Sequence, residues 1–164
     1  MKILNKKFFL YFFLFLIIFF IDRISKLYII NLANTTGPID IQINNFLNII
    51  LIWNTGIGFG LLSSNNALFY NVITIIILTI NLIIVYLISK SDKIRSILFL
   101  IVLGGSFGNL FDRFYYSAVP DFIDLNYKGF HWFIFNIADI FISVGLICLI
   151  LIEVLNYKKN FYEK

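Results

Sequence analysis

The chain has 164 residues, of which 60% are hydrophobic and 13% charged, with a formal net charge of +4. Soluble domains carry about 25% charged residues, so a chain this apolar needs hydrocarbon as part of its solvent, and a polytopic membrane protein forming one unit over residues 1–164 is expected. The basic residues form no single patch, which argues against a nucleic-acid partner. One cysteine, Cys148, excludes an internal disulfide and any multi-cysteine metal site, and one histidine, His131, with no HExxH context and no second histidine, argues against a zinc hydrolase.

About 20 apolar residues cross a bilayer core, and four stretches qualify. The first is predicted over about residues 8–30, opening on the apolar run from Phe8 to Ile21. Lys2, Lys6 and Lys7 precede it as they would a signal peptide, but Asp22-Arg23 follows in place of a small-residue cleavage site, so a retained helix is expected. An outer loop over about residues 31–67 comes next. Ile39, Ile41 and Ile43 alternate with Asp40, Gln42 and Asn44, the period of a strand with one buried face. The apolar run from Phe46 to Trp53 reads as a second strand. Asn54-Thr55-Gly56-Ile57-Gly58-Phe59-Gly60 then breaks the pattern, and its glycines suit a mobile flap.

The second span is predicted over about residues 68–89 and the third over about 94–111. The fourth covers about 133–155 and places Asp139 on the order of 8 Å inside its helix at about 1.5 Å per residue. The expected fold is an all-α membrane protein of four transmembrane helices, with a small extracytoplasmic β-sheet between helices 1 and 2.

Basic residues favour the cytoplasmic side of short loops. Lys2, Lys6 and Lys7, then Lys90, Lys93 and Arg95, then Lys158, Lys159 and Lys164 fall on one side of a four-span chain, whereas residues 27–89 contain no Lys or Arg. Both termini are therefore expected in the cytoplasm and the 31–67 loop outside.

Ionisable groups in a bilayer cost about 2.5–3.5 kcal/mol on insertion scales and mark functional sites by default. Asp22, Asp112, Asp121, Asp124 and Asp139 lie in or beside the outer halves of the spans. Asp22 and Lys26 are spaced i,i+4 and can pair. Asn109 shares a helix face with Asp112 and Arg113, and Asn136 with Asp139. These polar faces at similar depth suggest one cavity opening outward. Taken singly, each has a structural reading as an ion pair, a helix cap or a buried carboxylate balanced by Arg113. No Ser/His/Asp set is present, and Ser25-Lys26, adjacent on a helix, point apart. Two neighbouring carboxylates sharing a proton remain, one activating water while the other polarises a carbonyl, without metal or cofactor. A small ion-coupled transporter or an inert assembly subunit could use the same acids, although no internal repeat supports the former.

Four segments, in order and at similar spacing, resemble lipoprotein signal peptidase (signal peptidase II, aspartic peptidase family A8). They are Asp22-Arg-Ile-Ser-Lys26; Asn54-Thr-Gly56-Ile-Gly-Phe-Gly; Gly104-Gly-Ser-Phe-Gly-Asn109-Leu-Phe-Asp112-Arg113, continuing to Val119-Pro-Asp121-Phe; and Phe135-Asn136-Ile-Ala-Asp139. The resemblance implies a bacterial inner-membrane endopeptidase with Asp121 and Asp139 catalytic. It gives Asn54, Gly56, Asn109, Arg113 and Asn136 roles in holding substrate or orienting the dyad, and makes Asp22, Lys26 and Asp112 structural. The implied substrates are prolipoproteins bearing diacylglyceryl-cysteine, cut just before that cysteine by a monomer bathed in membrane lipid and inhibited by globomycin. Gly58 departs from a common family alanine, and Pro120 removes a backbone donor beside Asp121. Asp124 rivals Asp121, which the motif favours.

Overall fold

A computed structural model describes residues 2–56 and 67–162, with side chains described for residues 6–56 and 67–158. Gly58, Phe59 and Gly60 of the expected flap lie outside these residues, as do Glu163 and Lys164 and the side chains of Lys2 and Lys159. Helix α1 runs Lys2–Thr36, followed by strands β1 (Asp40–Asn44) and β2 (Leu47–Asn54). Helices α2 (Ala67–Lys90) and α3 (Lys93–Tyr116) come next, then strands β3 (Val119–Tyr127) and β4 (Phe130–Phe135), and helix α4 (Ile137–Tyr162).

All four helices are long and apolar enough to span a membrane. Their outward faces expose Phe12, Ile17, Ile75, Leu82, Ile147 and Leu155, among others, a surface that lipid solvates and water does not. Lipid tails are as apolar as these side chains, so helices associate through close packing of small residues and through polar contacts. Helix α3 packs on all three others, and its glycines face α1 and α4. A Cβ at Gly104 would stand 2.8 Å from Ile18 of α1, and one at Gly108 would run into the Asp22 carboxylate. One at Gly105 would stand 2.6 Å from the Ala138 carbonyl oxygen of α4. At the end of α3 remote from these polar contacts, Asp92 caps the helix by accepting from Ile94 N and Arg95 N, and Arg95 pairs with Glu153 of α4 at 2.9 Å.

The expected sheet between helices 1 and 2 is present but forms only half of the whole. β1 and β2 continue into β3 and β4 from the α3–α4 connection, giving an antiparallel sheet in the order β1-β2-β3-β4. Lys128 (φ 51°) and Gly129 (φ 80°) form the two-residue β3–β4 turn, whose paired positive φ values match the twist of a hairpin. Residues 133–135, expected to open the fourth span, therefore end β4, and α4 begins at Ile137. α3 extends to Tyr116, beyond the expected 111, and α1 to Thr36, beyond the expected 30. The alternating apolar face of β1 also departs from expectation. Ile39 is buried with Ile29 and Phe122 where the sheet meets α1, but Ile41 and Ile43 are exposed. No protein layer covers that side among the described residues.

Candidate active site

Asp139 owes its position to the start of α4. Asn136 Oδ1 accepts from Asp139 N at 3.1 Å, and Asp139 Oδ2 accepts from Asn136 N at 3.2 Å. This reciprocal pair is a capping box. It satisfies helix-end donors that hydrocarbon cannot, and it sets the Asp139 carboxylate in the first turn. The expected depth of about 8 Å is therefore corrected, because the preceding residues are strand and not helix. A further donor at this end, Ala138 N, reaches Asp22 Oδ1 of α1 at 3.1 Å.

Asp121 comes from β3. The β3–β4 register begins only at Ile123, so near Pro120 and Asp121 the strand pairs with β2 alone. A proline without an N–H is tolerated on such an open side, and the same opening leaves Asp121 free to face the helices. Its Oδ1 accepts from Asn136 Nδ2 at 2.6 Å and its Oδ2 from Asn54 Nδ2 at 2.8 Å. Asn136 thus bonds both aspartates, holding them to one point from two elements. Burial, reinforced by the charge of Asp139, pushes the Asp121 carboxyl up to about 7.

The amide orientations follow from their partners. Asn54 Oδ1 accepts from Gly56 N at 2.7 Å, Asn136 Oδ1 from Asp139 N, and Asn109 Oδ1 from Lys26 Nζ at 2.7 Å. An amide oxygen held by a donor turns its NH2 the other way. Each of the three therefore donates to an aspartate, Asn109 Nδ2 reaching Asp139 Oδ1 at 2.9 Å.

Both aspartates line one cavity of about 190 Å³ with Asn54, Asn109, Arg113 and Val119, closed towards the helices by Ile77, Ser106, Ile142 and Ser143. Arg113 donates through Nη2 to the Gly56 carbonyl and lies over the Tyr70 ring at 5.2 Å. Its Nε and Nη1 have no partner among the described residues. It forms no ion pair there with Asp121 or Asp139, although its charge acts on both across the cavity.

The expectation of one polar cavity needs division. Asp22, Lys26 and Asp112 do not line it. They pair behind it in a buried cluster, with Lys26 Nζ 2.8 Å from both Asp22 Oδ2 and Asp112 Oδ2, and Arg23 Nη1 2.5 Å from Asp112 Oδ1. Two cations and two carboxylates balance, as buried charges must. Asp124 is also elsewhere, buried against the His131 ring at 2.7 Å. Ser25 Oγ donates to the Asp22 carbonyl, away from Lys26. Sequence reasoning missed Tyr70, Ser106 and Ser143. A tyrosine or serine in an apolar span carries no signal of its own, and only packing shows which face it takes.

The sequence profile of the family described as Signal peptidase (SPase) II matches residues 14–155. The lipoprotein signal peptidase of Pelagibacter ubique (strain HTCC1062) is 49% identical over 163 residues, covering 99% of this chain and 98% of that one. That of Anaplasma marginale (strain Florida) is 37% identical, covering 87% and 83%. A solved bacterial membrane enzyme, determined by the in meso method at 2.3 Å resolution, superposes with a TM-score of 0.71 at 31% identity, covering 92% of this chain and 90% of that one. Fold and comparisons together define a multi-pass membrane aspartic protease. More particularly, the chain belongs to the signal peptidase II family.

Proposed function

We propose that this chain removes signal peptides from prolipoproteins with Asp121 and Asp139 as its catalytic pair, cutting just before a cysteine that carries diacylglycerol. The observation that carries this reading is the meeting of the two carboxylates on one small cavity at the junction of sheet and helices, both bonded by Asn136. With one proton shared between them, one carboxylate takes a proton from water while the other polarises the scissile carbonyl. Collapse of the tetrahedral intermediate needs a proton on the departing amine, which the pair returns. Arg113 Nε and Nη1, unpartnered among the described residues, suit a substrate backbone carbonyl, and Gly56 and Asn54 hold the strand end beside it. A lipid-anchored, helical signal sequence is confined to the bilayer, so a site at the lipid boundary receives both parts. The distribution of basic residues supports cytoplasmic termini and an outward-facing site in the bacterial inner membrane, and the chain is proposed to act as a monomer.

The purified protein in lipid bicelles should release two products from a diacylglyceryl-modified precursor, one beginning at the lipidated cysteine by mass spectrometry. The same precursor without its lipid should be cut far more slowly. Equal rates on both would sink the substrate assignment.

The reaction should also be lost on the alkaline side. Asp121 is held protonated up to about 7, so raising the pH through that region removes the shared proton and leaves two carboxylates with no acid. kcat should therefore fall about tenfold per pH unit above an apparent value near 7, one that belongs to the pair. A flat rate between pH 6 and 9 would contradict it.

A further inference from the structure

We propose that Lys26 is a positioning residue for Asp139, acting through the amide of Asn109. This rests on the reading of Asp139 as catalytic and gives a working role to a residue expected to be structural. Lys26 is fully buried; its ammonium group donates to Asp22 Oδ2 and Asn109 Oδ1 and forms an ion pair with Asp112 Oδ2 at 2.8 Å. The two carboxylates would suffice to balance the charge, together with Arg23. The third contact, 2.7 Å to an uncharged amide oxygen across 83 residues of sequence, serves no charge balance.

Its consequence lies one bond further on. Asn54 and Asn136 have their amide oxygens pinned by backbone N–H groups, of Gly56 and Asp139 respectively. Asn109, in mid-helix, has its own backbone N–H and C=O committed to α3, and the ammonium group is what holds its oxygen. With the oxygen held, the NH2 must point at Asp139 Oδ1. Released, the amide can turn its oxygen to Asp139, lone pair against lone pair, and a donor to the charged carboxylate is lost. Charge near the relay is fixed by Asp22, Asp112 and Arg23 around Lys26, and by Asp121 and Arg113 around Asp139.

The test is kinetic and uses the purified full chain with a lipidated prolipoprotein. Lys26→Met alone unbalances a buried cluster, so it is paired with Asp22→Asn, which keeps the cluster neutral and still offers an oxygen to Ala138 N. The expected result is a fall in kcat of about ten- to a hundredfold, the range for losing a group that orients a reacting side chain, with KM within about twofold. The acid limb of the pH–rate profile should move to higher pH by about one unit, since a donor to the anionic form is gone. Adding Asn109→Ala to the pair should cost little more, because both changes break the same relay. Should the balanced pair fail to fold, Lys26→Met with Asp112→Asn, which is also neutral and also removes the donor to Asn109, takes its place in the same cycle.

Multiplicative losses, or an unmoved acid limb beside a lowered melting temperature, would overturn the proposal and leave Lys26 as scaffold. Those outcomes are separable from failure of the catalytic assignment, which the Asp139→Asn chain reports by itself.

Discussion

Asp139→Asn is expected to reduce cleavage of a lipidated prolipoprotein by at least about three orders of magnitude while the protein still inserts and folds. General acid–base catalysis contributes about 10²–10⁴-fold, and in the proposed mechanism the same group also shares the proton that activates its partner. The structural cost is small by comparison. Asp139 accepts from Asn109 Nδ2 on one oxygen and from Asn136 N on the other. An asparagine keeps one acceptor and loses the second, which weakens a helix cap by about 1 kcal/mol. Asp121→Asn should behave alike, since its two oxygens accept from Asn54 and Asn136. Turnover by mass spectrometry, read beside thermal melting in detergent, separates the two effects. Normal processing by a purified Asp139→Asn chain would remove the pair from the chemistry.

The second large effect is expected at a residue with no chemistry of its own. A Cβ at Gly105 would stand 2.6 Å from the Ala138 carbonyl oxygen and 3.1 Å from Ile142 Cγ1. A backbone oxygen cannot swing aside as a side chain can, so in Gly105→Ala the start of α4 must move away from α3. Overpacking of this kind costs about 1–3 kcal/mol. Ala138 adjoins Asp139, so the displacement reaches the carboxylate directly, and a misplacement of about 1 Å can cost about a hundredfold in rate. Gly105→Ala should therefore melt lower and turn over far more slowly, with Asn109 and Asn136 untouched. Unchanged melting and turnover would show that the α3–α4 contact is looser than this packing implies.

Much of the site was legible because membrane insertion makes polar residues rare and expensive. Asp22, Lys26, Asn109, Arg113, Asn136 and Asp139 stand out in apolar spans, and i,i+3 and i,i+4 spacing shows which of them share a face. The same apolarity hid the second hairpin. Phe130–Phe135 contains almost nothing but aromatic and aliphatic residues, so it merges by hydropathy with α4, and Lys128-Gly129 is a quieter turn signal than Asn-Gly. Hydropathy therefore places the start of α4 too early, and Asp139 about a turn too deep. The error at β1 has a related cause. Alternation reports that one face is apolar but not what covers it, and among the described residues no helix does.

Composition and pattern alone determined that this is a membrane protein with four spans, that its chemistry must come from carboxylates, and which family it resembles. Those properties are local: each is written in hydropathy, residue type or spacing along one segment. The tertiary structure decided how the acids divide. Asp121 and Asp139 share a cavity, Asp22 and Asp112 are neutralised behind it by Lys26 and Arg23, and Asp124 is turned to His131. That division depends on which donor lies within about 3 Å of which carboxylate oxygen. Such distances arise only when a strand, a capping box and two glycine-lined helix contacts are assembled together.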